Sequence, residues 1–388
     1  MRKASTAAVS AAAIAWFLMV MPPAFADIKI GIIASGSGPV ASLGRPQMES
    51  IPFLPSEIAG QKVSYIALDD ESDATKSAQN ARKLIFEEKV DVLIGSSGTP
   101  SSLPLIDIAA EAKIPLLTLA GSDVMIEPMD DKRRWVFKVV PKDSLMAGAI
   151  ANYIARKGVK RLGYIGFSDG YGEGYYNQLA KLAPGLGIEL TTHEVFARSD
   201  ASVTGQVLKI LATKPDAVFV AAAGSPGVVP QRALRSRGFT GPIFQTHGIA
   251  GQDFLTLGGK DVEGATFAGE AFIVADDLVP SSPFRAATDD FISRWKDKFG
   301  KAPPIFAAHV IDSVALVQRA ALPAIKSGQP GTAEFRAALR DEIEKVRDLF
   351  LNNGLSNMSP TDHNGYDGRS AFIISVREGR YRLEEAGR

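Results

Sequence analysis

The stretch Val90-Asp91-Val92-Leu93-Ile94-Gly95-Ser96-Ser97-Gly98-Thr99-Pro100-Ser101-Ser102 decides the fold. Its first residues, 90–94, form a short apolar run, as expected of a strand in a parallel sheet covered on both faces. A turn rich in serine and glycine follows, and Thr99-Pro100 suits a helix N-cap and first helical position. The helix is then expected over 101–112. A strand, a small-residue turn and a helix in that order make one half of a βαβ unit.

Outward from this stretch the same unit recurs. Strands are expected at 28–34, 63–68, 115–119 and 135–139, with an amphipathic helix at 74–88. Near Pro141 the pattern starts again. Helices at 144–157, 174–182, 203–212 and 228–237 alternate with strands at 161–166, 189–196, 217–222 and 242–246. The reading is α/β, with two doubly wound parallel-sheet units in succession. The last section differs: 264–274 is extended, helices follow at 283–299, 307–327 and 333–346, and a hairpin turns at Glu378-Gly379. Helices without strands cannot make their own α/β core. They are expected to complete the first unit, while the hairpin returns to the second. The expected division is 27–141 with 275–346 in an N-terminal lobe, and 142–274 with 347–388 in a C-terminal lobe, the chain crossing between them more than once.

The leader at 1–26 stands outside this pattern. Arg2 and Lys3 precede an apolar run at 11–21, and Ala24-Phe25-Ala26 is an A-x-A cleavage site, the layout of a secretory signal. The run is too short to span about 30 Å of hydrocarbon. The mature chain, of two-domain length, would begin at Asp27. The full sequence has 43 basic and 43 acidic residues, and loss of Arg2 and Lys3 leaves the mature chain near neutral, so no surplus points to nucleic acid. With no cysteine, thiol catalysis and cysteine metal sites are excluded.

In open parallel sheets, ligands bind beyond the carboxyl ends of the strands. Ser97 and Thr99 lie on such a turn, at the positive end of a helix, a place to hold a carboxylate. The next strand ends in Thr118-Leu119-Ala120-Gly121-Ser122, again small and hydroxylated. Serine and glycine are equally ordinary in βα turns, so both readings stand. In the second unit Tyr171 sits among Gly170, Gly172 and Gly174, poised to lay a ring over a cleft. Gln245 and His247 close the strand at 242–246. A lone histidine is more often structural. Gly166-Phe167-Ser168-Asp169-Gly170 matches G-x-S-x-G, which would make Ser168 the nucleophile of a serine hydrolase, but the glycines after it delay the helix that an elbow needs. The four histidines, His193, His247, His309 and His363, lack metal-site spacing, and Gly36 to Gly38 lacks the dinucleotide fingerprint. No metal and no cofactor are expected.

Several short pieces in sequence carry a resemblance. They are Ser37-Gly38-Pro39 with Gly44, Asp69-Asp70, the loop after Ile94-Gly95, Tyr171-Gly172-Glu173-Gly174, Ala308 with Asp312, and Asp362-His363-Asn364-Gly365. Together they resemble the periplasmic branched-chain amino-acid-binding family of ABC importers, over nearly the whole mature chain. The resemblance implies a type I periplasmic binding protein fold, with two lobes joined by a three-strand hinge and closing on a ligand. It implies a periplasmic location, a membrane permease as partner, a monomer and no enzyme activity. By position it places the ligand carboxylate on Thr99, Ala120 and Ser122, with Ser97 beside them and Leu43 on the Ser42-Leu43-Gly44 turn, and it lays Tyr171 against the ligand. Cysteines that some members carry fall here on Ser72 and Gly98.

The departures bear on substrate. Amino-acid binders of the family hold the α-ammonium with a tyrosine and an acid, at positions that fall here on Ala223 or Gly224 and on His247. Burying an ammonium without a partner costs several kcal/mol, by the usual order of such penalties. A small carboxylate without an α-amino group is therefore expected. The Ser-Leu-Gly turn and Arg133-Arg134-Trp135-Val136-Phe137-Lys138 resemble the aromatic-acid branch, which implies benzoate-like or phenylpropenoid acids, with Gln245 and His247 meeting a distal polar group. A branched-chain amino-acid binder, and a sensor domain serving a signalling partner, are the alternatives.

Overall fold

In the computed structural model, which describes residues 27–388, the strand Ile28–Ala34 lies within a six-stranded sheet. The leader read at 1–26 lies outside the described residues. The sheet runs Glu57–Ile58, Gln61–Asp69, Ile28–Ala34, Val92–Ile94, Leu116–Thr118, Val136–Lys138, parallel except at its first pair. Alternate residues feed two cores, as the period of a strand dictates. Ile28, Ile30, Ile32, Val92, Ile94 and Leu117 face one side, and Ile33, Leu93 and Leu116 face the other. The second side is covered by the helices Ala74–Arg82 and Thr99–Ala112.

The other sheet runs Arg380–Glu385, Phe372–Arg377, Thr266–Gly269, Ile243–Gln245, Ala217–Ala221, Arg161–Phe167, with two short strands beyond. The hairpin turns where expected, with Glu378 and Gly379 both at positive φ, the conformation of a two-residue turn that matches strand twist. The helix Ile305–Ile325 is long and apolar enough to cross a membrane, yet Val310, Val314 and Val317 are buried under the first sheet. Ala333–Glu344 joins it there through Phe335, Leu339 and Ile343. The third helix of this section behaves differently. Assigning all of 275–346 to the first unit would place Pro283–Phe299 there. Its buried Phe284, Phe291 and Trp295 instead belong to the core of the second sheet, with Phe291 against Phe272. Its apolar face is aromatic, and the aromatic neighbours lie in that core.

The chain thus passes between the sheets after Val136–Lys138, after Thr266–Gly269 and before Phe372–Arg377. The passes are tied together by buried polar groups. Asn364 Nδ2 donates to the carbonyls of Lys138 (2.9 Å) and Val140 (3.0 Å), and Lys138 N donates to His363 O at 2.9 Å. Asp312, on the long helix, accepts from the backbone of Asn352 and Asn353 at 3.0 and 2.9 Å and from both side-chain amides. Lys138 is fully buried; its ammonium donates to Pro141 O at 2.6 Å and lies 3.6 Å from Asp123 Oδ1. Asp123 in turn accepts from the N–H groups of Asp143 and Ser144 at the start of the helix Asp143–Arg156.

Asp143 and Glu270 are also buried, and none of their carboxyl oxygens has a hydrogen-bond partner. Burial raises Asp143 well above the carboxylate range and Glu270 to about 8, each opposed by the charge of Lys138. A carboxyl raised in this way holds a proton that the unfolded chain releases, so its contribution to stability fades as pH rises towards the folded value. His247 and His309 are lowered to about 3 by burial, then by Lys138. They contribute the opposite slope, but only below their ordinary value of about 6.5. Between pH 6.5 and 8, Glu270→Gln should therefore remove a fall in stability of up to about 1.4 kcal/mol per pH unit. Denaturant unfolding of both proteins across that window checks this; parallel curves would show Glu270 ionised in the fold.

Candidate ligand-binding cleft

The helix Thr99–Ala112 opens one residue earlier than expected. Gly98, extended at φ −116° and ψ 149°, takes the N-cap position, so Thr99 is already helical. Thr99 therefore does not cap the helix with its side chain. Its hydroxyl is buried and without a hydrogen-bond partner. The rest of the loop spends its hydroxyls holding itself in place. Ser96 Oγ and Ser35 Oγ both donate to Asp70, and Ser102 Oγ accepts from Ser96 N at 3.0 Å. Ser97 Oγ accepts from Ser35 N at 2.8 Å and donates to Gln47. The result is one free hydroxyl beside the unpaired N–H groups of a helix start.

Thr99 lines a narrow cleft between the two sheets. Leu43, Ser97, Gly98, Leu119, Gly121 and Val140 line it from the first lobe; Tyr171, Arg198, Ala223, His247 and Gly248 line it from the second, with Phe306 and His309 from the start of the long helix. The site residues read in the sequence divide here. Leu43, Ser97, Thr99, Tyr171 and His247 come together around this space. Ala120 is buried among the apolar residues behind the first sheet, and Ser122 lies just outside the cleft, its Oγ donating to Gly170 O across the lobes at 3.3 Å. Gln245 does not reach the cleft. Its strand turns it under the helix Val228–Ser236, where its amide donates to Gln231 Oε1 at 2.9 Å.

Tyr171 is set by the helix Gly170–Leu186, whose N-cap Asp169 accepts from Tyr171 N at 2.9 Å. Its hydroxyl donates to Thr246 Oγ1 at 2.8 Å, and Thr246 passes the bond on to Ala222 O at 2.6 Å. The ring is thereby fixed and its face left to the cleft. Tyr175, one turn on, has its hydroxyl 2.9 Å from His247 Nδ1, which orients that imidazole. Arg198, the one charged side chain on the wall, is paired with Asp169 at 2.6 Å and lies over the Phe167 ring at 4.1 Å. Among the described residues, no aspartate or glutamate lines the cleft.

His309 and Phe306 were not found by reasoning from strand ends, because they sit on a helix that follows no strand of the sheet. Pro303-Pro304 immediately before that helix was the available signal. Ser168 is exposed, and no histidine among the described residues hydrogen-bonds it; His193 pairs with Glu173 instead. Among the described residues no cluster could hold a metal ion. Ser72 ties the neighbouring loops by hydrogen bonds: its Oγ donates to Ser37 O at 2.8 Å and accepts from Val40 N at 3.2 Å.

Comparison with known proteins places this geometry. The family model described as periplasmic binding protein matches residues 27–378. An extracellular ligand-binding receptor from Rhodopseudomonas palustris HaA2 is 64% identical, with a TM-score of 0.91, covering 92% of this chain and all of that one. The Leu/Ile/Val-binding protein homolog 3 of Brucella melitensis is 22% identical over 252 residues, 63% of this chain and 67% of its own. A solute-binding protein of an ABC transporter from R. palustris, solved in complex with benzoate, has the same fold at 19% identity and a TM-score of 0.77, covering 93% of this chain and 96% of that one. The chain belongs to the periplasmic binding protein family, with the type I fold of a ligand-binding receptor of the ABC transporter substrate-binding type.

Proposed function

We propose that this receptor binds a small carboxylate without an α-amino group, an aromatic acid first of all, and delivers it to the permease of an ABC importer. The observation that carries the reading is the unpartnered Thr99 hydroxyl at a helix N-terminus, in a cleft without an acidic side chain. A helix start and a free hydroxyl suit a carboxylate. Leu43, Leu119, Val140 and Phe306 offer apolar walls to a ring. An α-ammonium would find no counter-charge on these walls, and a buried ion without one is strongly disfavoured. The benzoate complex of a related solute-binding protein supports the choice of aromatic acids. The names of the Leu/Ile/Val-binding relatives support the competing choice of an amino acid.

In this reading the chain works in the periplasm as a monomer, after cleavage of the leader following Ala26. The lobes are 27–141 and 142–274, completed by the C-terminal segments. No covalent step is involved. Ligand shifts the lobes to the closed arrangement by binding it better than the open one. Glycines permit the closed contact. Gly224, at φ +64°, approaches so closely that a Cβ there would lie 2.4 Å from Ser42 Oγ and 2.9 Å from Leu43 Cδ1.

A thermal-shift screen of residues 27–388 against aromatic carboxylates and amino acids tests the substrate class. At 100 times its Kd a ligand adds about 2.7 kcal/mol of apparent stability. Benzoate-type or cinnamate-type acids should raise Tm and leucine should not; a shift with leucine alone would return the chain to amino-acid transport. Small-angle scattering tests closure. The parent should contract when the best acid of that screen is added. Gly224→Val should stay extended and bind the acid about tenfold more weakly, because its competent state is scarcer. Equal contraction of parent and variant would remove Gly224 from the closing contact.

A further inference from the structure

Two imidazoles line the same cleft, one from a strand end of the second sheet and one from the long helix that joins the two cores. His247 follows the strand Ile243–Gln245 of the second sheet, and His309 lies in the first turns of Ile305–Ile325, between Phe306 and Ala308, which pack in the second core, and Val310, which packs under the first sheet. Both are buried, at 4% and 3% exposure, and both line the cleft. His247 spends Nδ1 on Tyr175, which leaves Nε2 for the cleft. His309 has no hydrogen-bond partner at either nitrogen, a state that buried polar groups seldom keep without a function. We propose that His309 is a ligand-contacting residue, and that His247 and His309 together hold a hydroxyl on the ring of the bound acid, making hydroxylated aromatic acids the preferred substrates. The inference rests on the carboxylate reading of the cleft and adds to it the group at the other end of the ligand.

The chemistry favours a hydroxyl over a second carboxylate. A neutral imidazole carries one donor and one acceptor nitrogen. A hydroxyl can accept from one ring and donate to the other, satisfying both at once. Burial, with the nearby Lys138 charge, keeps both rings neutral at neutral pH. A second carboxylate would need charged donors there, and Arg198 is already committed to Asp169. Sites that hydrogen-bond a substrate hydroxyl discriminate strongly against the analogue lacking it, because the buried protein groups are then left unpaired.

Titration calorimetry at pH 7.5 with benzoate, 4-hydroxybenzoate and terephthalate, on the parent, His309→Phe and His309→Gln, tests this. The parent should bind 4-hydroxybenzoate at least about tenfold tighter than benzoate, the scale of one well-placed hydrogen bond. His309→Phe should erase that preference, bringing the two acids to within about threefold of each other, while His309→Gln, which keeps a donor and an acceptor, should retain part of it. Thermal unfolding confirms that each variant is folded. If benzoate binds but the hydroxyl brings no gain, if terephthalate binds tightest, or if both variants weaken both acids equally, the histidine pair is not the hydroxyl site and the carboxylate reading survives. If no aromatic acid binds the parent, that reading fails and the inference with it.

Discussion

The structure depends on one buried ammonium. Lys138 ends the last strand of the first sheet, at the point where the chain first leaves that lobe, and it is out of contact with water. Such a charge needs partners, and removing them would be strongly destabilising. It draws Asp123 beneath it, and Asp123 in turn anchors the first N–H groups of the helix that opens the second lobe. The last pass is held to the same strand end through His363 and Asn364. A single positive centre thereby fixes where the two lobes meet.

The same charge sets the electrical character of the cleft. It reaches His247 and His309, holding both rings neutral together with their burial. It opposes the raising of Asp143 and Glu270, though burial prevails at both. The buried acids are thus largely silenced, and what faces the cleft is a helix start, a hydroxyl, two neutral imidazoles, an apolar wall and Arg198, which is already paired with Asp169. On the proposed reading, that environment receives a carboxylate. Oriented dipoles meet its charge and no mobile counter-ion is required.

Much of this was legible in the sequence. Continuous apolar runs gave the parallel strands, and the breaks between them gave the strand ends beyond which Ser97, Thr99 and Tyr171 lie, because strand ends in such sheets are where sites form. What was not legible depends on single-residue offsets and on tertiary packing. The helix start at Gly98 rather than Thr99 turned a capping hydroxyl into a free one. Gln245 precedes His247 by two positions, yet the chain bends after the strand, so one lies under a helix and the other in the cleft. His309 belongs to a helix outside the βα pattern, and only three-dimensional contact brings it to the site. The helix Pro283–Phe299 carries no signal in its own pattern for which core it joins; its aromatic partners decide that.

The most direct test of the account is a crystal structure of residues 27–388 grown with benzoate. The lobes should be closed, with the carboxylate at about 2.7–2.9 Å from Thr99 Oγ1 and a first-turn N–H, and the ring against Leu43 and Phe306. A carboxylate bound elsewhere in the cleft, with Thr99 Oγ1 still unpartnered, would contradict it.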